Sequence, residues 1–273
     1  TEPVSPDTAC RVHTYNAPIL MDLGACDKAI CPTTWQASQF PKHLQSQLKI
    51  IFDGIDTNVF RPLSEVEKQG GLQIGDFSIP RDVPLVTYTT RGFEPYRGWP
   101  QVAQGLSLLM QRNPRVRVLL VGSDEVAYGA KRGDGKSWRQ WALETFQFDP
   151  DRLHYLPPLQ YDDYRKVLQH SWVHVYWTIP FILSWGLMEA LASGCSVVAS
   201  ATEPVQEMIR PGQEGVLVDY FDCQGLANRV DELLQDASRR EQLSKQARRF
   251  VIDNGYSLEN CLSSQLDLVH SML

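Results

Sequence analysis

Apolar residues fall along this chain in two rhythms. Short unbroken apolar runs alternate with stretches in which apolar residues recur every three or four positions. The first rhythm belongs to buried strands and the second to helices with one buried face. Runs at 27–31 and 48–52 predict two strands, the second ending in an Asp53-Gly54 turn. Between them Pro32-Thr33-Thr34 opens a helix with a threonine as its cap. From 85 onward the alternation is regular. Strands are predicted over 85–89, 116–121, 153–156, 173–177, 196–199 and 215–218. Helices are predicted over 99–111, 137–146, 161–169, 187–193, 224–234 and 239–252. In the first of these helices Val102, Leu106 and Leu109 mark the buried stripe. The stretch 61–84 breaks the rhythm with Pro62, Gly70-Gly71, Gly75, Pro80 and Pro84, and reads as a linker. Strands alternating with helices predict an α/β fold, here a doubly wound parallel sheet of about six strands over 85–218.

Composition narrows the classes. With 273 residues, 43% of them hydrophobic, the chain can bury the cores of about two domains. The net charge of -6 argues against nucleic acid as a partner, which calls for a basic surface. Cys10, Cys26, Cys31, Cys195, Cys223 and Cys261 form no CxxC pair and no zinc-ligand spacing, so they read as free, mostly buried thiols in a reducing compartment. There is no apolar run of membrane-spanning length and no signal peptide. The chain begins at Thr1, and residues 1–7 look like the middle of something longer, so a fragment is expected. No GxGxxG, GxxxxGK[ST] or GxSxG pattern occurs, which removes the dinucleotide fingerprint, the P-loop and the hydrolase elbow.

In doubly wound sheets ligands gather at the carboxyl ends of the strands, so the residues just after each strand are the candidates. After 85–89 come Arg91 and Arg97, flanking a loop that opens a helix at Gly98. A guanidinium offers paired donors to phosphate oxygens, and a helix start adds favourable potential. Taken alone they read as two solvated arginines. After 173–177 come Ser184, Gly186, Leu187 and Glu189. Gly186 admits close approach to the backbone, and the Glu189 carboxylate can accept two hydroxyls, such as those of a ribose. By itself, a carboxylate near a helix start is a partner of the helix dipole. After 196–199, a loop with Glu203 leads to a short helix with Glu207 near its start.

Together and in this order, the segments resemble the glycosyltransferase family 4 group of retaining GT-B enzymes, over residues 26–273. The resemblance rests on Ile55 to Pro62, similar to the family's interdomain signature. It rests also on Arg91 with Arg97-Gly98, on Leu119 to Gly122, on Gly186 to Gly194 around Glu189, and on Glu207 followed by Gly212 to Val218. It implies a GT-B fold: a C-terminal Rossmann-like donor domain at 85–256, the tail of an N-terminal Rossmann-like acceptor domain at 1–62, and a linker at 63–84. A last helix at 257–273 would pack back on the N-terminal part, whose exposed apolar surface would favour self-association. The resemblance implies that Arg91 and Arg97 hold the donor diphosphate and that Glu189 binds ribose. The backbone at Gly98, Gly186 and Leu187 would lie at the phosphates, with Leu156, Pro157 and Pro158 beside the base. It implies catalysis by Arg91, Arg97 and Glu189, with no cofactor and no obligatory metal, and a UDP- or GDP-type sugar donor. The acceptor would be a glycan, lipid or small molecule, in polysaccharide or lipid-linked glycan assembly in the cytoplasm. Peripheral membrane contact would run through the N-terminal domain.

Two positions depart from that family's pattern. Its two glutamates have seven residues between them, which from Glu189 places the first at 189 − 8 = 181, and here that residue is Phe181. The 180–185 segment reads as a subfamily feature. The usual phosphate lysine is Arg97, which keeps the charge. Three readings follow: a glycosyltransferase, a nucleotide-sugar-binding module without turnover, and another user of the same pocket such as an epimerase or phosphorylase. The last lacks a lysine in a cofactor-anchoring context.

Overall fold

A computed structural model describes residues 5–64 and 66–273, with Lys68 by its backbone alone. The opening residues 1–4, part of the stretch expected to continue from elsewhere, and Glu65 of the expected linker lie outside the described residues. The chain divides into two compact units, Thr1–Phe52 and Asp53–Leu273.

In the first unit, α1 (Pro6–Ala25) precedes β1 (Ala29–Cys31), α2 (Thr34–Ser38), α3 (Lys42–Gln45) and β2 (Leu48–Ile50). The two strands pair in parallel, Ala29 with Leu48 through Cys31 with Ile50. Thr33 caps α2 with its hydroxyl on the Gln36 amide, as the Pro-Thr-Thr sequence implies. Helix α1 was not legible in the pattern. Its apolar residues Val12, Tyr15, Ile19 and Met21 are exposed and only Leu23 is buried, so no single buried stripe marks it.

In the second unit, β3 (Leu72–Ile74) and β4 (Phe77–Ile79) form an antiparallel hairpin inside the expected linker. Gly75, at φ +55, makes the turn, and Leu72 and Ile79 are buried against Leu85, Leu119 and Val167. Two triplets, each with one polar residue between two apolar ones, set among glycines and prolines, are too brief for periodicity to reveal.

The main sheet comprises β5 (Leu85–Gly92), β6 (Arg117–Ser123), β7 (Leu153–Leu156), β8 (Val173–Tyr176), β9 (Val197–Ser200) and β10 (Val216–Val218). Their spatial order is β10-β9-β8-β5-β6-β7, and every pairing is parallel. The helices are α4 (Trp99–Arg112), α5 (Trp138–Thr145), α6 (Tyr161–His170), α7 (Trp185–Ala192), α8 (Glu203–Gln206), α9 (Cys223–Gln235), α10 (Ala237–Asp253) and α11 (Leu258–His270). The sheet strands are apolar on both faces, as the continuous runs require, and Val86, Val118, Val173, Val175 and Val198 are fully buried. Each such side chain contributes about 1.5–3 kcal/mol by leaving water.

The order has one reversal. From β5 the chain winds outward through β6 and β7, then crosses back to β8 beside β5 and winds the other way. The carboxyl ends of β5 and β8 therefore diverge into loops on opposite sides, and that leaves a crevice between them.

Segment 53–62 is tied to this unit at two places. Ile55 exchanges backbone hydrogen bonds with the start of α11, accepting from Leu258 and donating to Tyr256, both at 2.9 Å. Arg248 of α10 donates to the carbonyls of Thr57, Phe60 and Ala192. Among the described residues no helix is long and apolar enough to cross a membrane.

Candidate functional site

The crevice at the strand reversal is a cleft of about 540 Å³. Its floor is the ends of β5 and β8, and its walls include Arg91, Arg97, Tyr128, Phe181, Gly186 and Glu189. The chain leaving β8 is fixed from two sides at Thr178. Thr178 donates its amide to Ser200 Oγ of β9 and its hydroxyl to the Tyr96 carbonyl.

Arg91 and Arg97 both line the cleft. Strand β5 runs past the expected end at 89 to Gly92, with a bulge between Thr89 and Gly92 that turns Arg91 outward. Arg97 ends a short turn of 3₁₀ helix, Pro95–Arg97, and its carbonyl accepts the buried Tyr88 hydroxyl at 2.6 Å. Neither guanidinium is paired with a carboxylate among the described residues. Both face aromatic rings instead. Arg97 lies 4.9 Å from the Tyr128 ring centroid and 5.0 Å from that of Phe181, and Arg91 donates to the Tyr128 hydroxyl at 3.5 Å. The Arg91 bond holds the Tyr128 phenol below its ordinary pKa. Two cations with aromatic neighbours and no counter-anion make a site for an anion.

Gly98 is not in the cleft wall. It sits at φ +64 as the residue before α4, and a β-carbon there would fall 2.3 Å from the buried Trp177 ring. Its role is to set the turn that carries Arg97.

Helix α7 begins at Trp185, two residues before the expected 187. Ser184 makes no side-chain cap. The Leu187 amide already donates to the Ser184 carbonyl at 3.2 Å and its side chain is fully buried, so Leu187 does not face the cleft as expected. The amides of Trp185 and Gly186 have no partner among the described residues and point from a helix start that lines the cleft. At Gly186 a β-carbon would meet nothing closer than 3.4 Å, so packing does not require glycine there. At the other end Gly194, at φ +74, terminates the helix and lets Pro62 and Ser244 come close.

Glu189 lines the cleft with only 4% of its surface exposed. One carboxylate oxygen accepts the Tyr161 hydroxyl, and Tyr164 also faces it. Burial pushes the carboxyl above its ordinary range and the two phenols pull it partway back. Phe60 packs edge-on to the Tyr161 ring at 5.0 Å, which joins the 55–62 motif to the Glu189 partners. The tyrosine pair was missed in the sequence, because its only signal is a one-turn spacing on α6.

Of the segment expected beside the base, Leu156 and Pro157 are not in the cleft wall; Pro158 is, joined by Leu159. Leu156 is the last residue of β7, the edge strand beyond β6, and packs with Leu119 and Val121 away from the reversal between β5 and β8. Glu207 lies at the end of α8, and not near its start as expected.

The comparisons with known proteins follow this geometry. Residues 76–250 match the family described as Glycosyl transferases group 1, and residues 1–60 match the Glycosyl transferase family 4 group. The chain belongs to the glycosyl transferases group 1 family. A D-inositol 3-phosphate glycosyltransferase of Thermomonospora curvata is 26% identical over 216 residues, 76% of this chain and 48% of the relative. A phosphatidyl-myo-inositol mannosyltransferase of Mycolicibacterium smegmatis is 29% identical over 186 residues, 64% of this chain and 44% of the relative. The chain thus spans about half the length of the curated relatives it matches. Among solved structures, Anabaena HepE in complex with UDP-glucose superposes with a TM-score of 0.72 at 16% identity, over 91% of this chain and 64% of that one. Sucrose-phosphate synthase of Thermosynechococcus elongatus superposes with a TM-score of 0.70 at 20% identity, over 94% of this chain and 62% of that one, and the chain shares the GT-B fold of these neighbours.

Proposed function

We propose that the cleft binds the nucleoside diphosphate of a sugar donor, and that the whole protein transfers the sugar with retention of configuration. The observation that carries this is the pair Arg91 and Arg97, with no carboxylate partner among the described residues, lining one cleft with the start of a helix that has no side-chain cap. A diphosphate leaving group gathers negative charge as the glycosidic bond breaks. Fixed guanidinium and amide donors offset that charge without reorganising, a role that needs no cofactor. Glu189 would take the ribose hydroxyls, with the tyrosine donors keeping its carboxylate oriented. The fold likeness to HepE, whose solved complex holds UDP-glucose, supports a UDP-type donor. GDP is the second candidate. The names of the curated relatives support an inositol-containing acceptor, free or lipid-linked, in glycan assembly.

A second reading is binding without turnover. Phe181 favours it, because an aromatic ring stands where the resemblance places a carboxylate.

UDP or GDP should raise the melting temperature of this chain, since a ligand of the folded state stabilises it. No shift with either nucleotide would remove the donor reading. Release of sugar from a labelled donor by the full-length protein separates transfer from binding.

A further inference from the structure

The loop that carries Tyr128 has an anchor outside the cleft. Glu94 is fully buried, and among the described residues no basic side chain pairs with it. Its two carboxylate oxygens accept the Tyr128 amide, each at 3.1 Å, and one accepts the Gly129 amide at 2.7 Å. An ionised carboxylate is costly to bury, and here backbone amides of another loop do the work of water. The same two loops meet a second time. Phe93 donates its amide to Ser123, and a β-carbon on Gly92 would fall 2.3 Å from the Glu125 carbonyl. Tyr128 itself is 41% exposed, so burial of its own ring does little to fix it.

We propose that Glu94 is a positioning residue: it clamps the 124–130 loop onto the 93–97 turn, and so holds the Tyr128 ring and hydroxyl against Arg91 and Arg97. The inference rests on the reading of this cleft as a diphosphate site. Arginine side chains lose rotamer freedom when they bind, and a ring already stacked on Arg97 removes part of that cost before the ligand arrives. Without the clamp the loop carries Tyr128 away, leaving Arg91 without its hydroxyl partner and Arg97 with a ring on one side only.

Two readouts test this. The first is the tyrosinate absorbance titration without nucleotide, with Tyr128→Phe identifying the Tyr128 step. In Glu94→Gln the charge behind both bonds is gone and an NH2 group stands where one oxygen accepted the Tyr128 amide, so the clamp loosens and the Tyr128 step should move up toward that of an ordinary phenol. Mere loss of the nearby negative charge, with Tyr128 still in place, would move it down. The second is UDP and GDP affinity by calorimetry. Glu94→Gln should bind at least tenfold more weakly, and the Glu94→Gln/Tyr128→Ala pair no more weakly than Tyr128→Ala alone. A Tyr128 step that stays or moves down, or losses that add, overturns the proposal. If the wild-type chain binds neither nucleotide, the donor reading fails by itself and the titration still decides on the clamp. Should Glu94→Gln not fold, Gly129→Ala presses the contact from the loop side, because its β-carbon would lie 3.2 Å from the Glu94 carboxylate. A smaller upward move is expected there, and no move overturns the clamp.

Discussion

Arg97 shows what one side chain owes to its neighbours. On a flexible stem its guanidinium would sweep a wide volume, yet it lies between the rings of Tyr128 and Phe181, at 4.9 and 5.0 Å from their centroids. Phe181 therefore has a positive function at the position where the resemblance places a carboxylate: it walls the arginine. Arg97→Ala should weaken nucleoside diphosphate binding about 10- to 100-fold, the equivalent of about 1.5–3 kcal/mol for a charge-assisted contact, as read by calorimetry. Arg97→Lys should fall in between, keeping charge but losing the planar fork and the stacking. Glu189 makes the opposite kind of test. Its carboxyl is held above its ordinary pKa by burial, so its ionised form is a cost to the fold at neutral pH. Glu189→Gln keeps an acceptor for Tyr161 and removes the buried charge. The variant should melt at the same or a higher temperature than the parent and yet show a smaller shift with UDP or GDP. A lower melting temperature with an undiminished shift would make Glu189 a structural residue.

At the scale of elements, the site is made of turns, and two glycines separate fold from function. Gly98 sits in the left-handed region with Trp177 against it. Gly98→Ala should cost about 1–3 kcal/mol in urea denaturation through overpacking and strain. At Gly186, by contrast, a β-carbon would make only ordinary contacts, with the Tyr164 and Ser184 hydroxyls at 3.4 and 3.5 Å, and alanine is the better helix former by about 0.5–1 kcal/mol. Gly186→Ala should leave stability unchanged or raised while UDP or GDP binding weakens. If binding is unaffected, the start of α7 does not approach the phosphates. Glycine-containing motifs announced both turns in the sequence. The division of labour between them was not legible, because it depends on which atoms stand opposite each α-carbon. Nor was the hairpin at 72–79, whose strands are too short to show a period.

For the whole second unit, stability carries a pH signature from its core. His174 on β8 is fully buried, its Nδ1 2.8 Å from the Thr87 hydroxyl, and burial lowers its pKa from 6.5 to about 4. The unfolded chain takes up a proton as pH falls through 6.5, whereas the folded chain does so only near 4. Stability from this group is therefore complete above 6.5 and is lost progressively down to about 4, at most about 3 kcal/mol. Urea midpoints at pH 7 and pH 5 should show the loss, and His174→Gln should show a flatter profile across that window.

By itself the sequence determined the alternation of strands and helices, the six strand positions of the main sheet, and the two arginines and Glu189 at strand ends, because burial on both faces of a parallel strand leaves an uninterrupted apolar run and the ligand-facing loops follow directly. The motif order also pointed to the family. What only the tertiary structure decided is which of those loops meet. The reversal between β5 and β8 brings residues 91, 97, 186 and 189 around one cleft and turns Leu156, Pro157 and Leu187 away from it. Tyr128, Tyr161 and Tyr164 join the site, and Glu94 anchors it from below. None of these four could be placed in the site from its own neighbourhood, since each acts on a residue at least 25 positions distant, as Tyr164 does on Glu189 at 189 − 164 = 25.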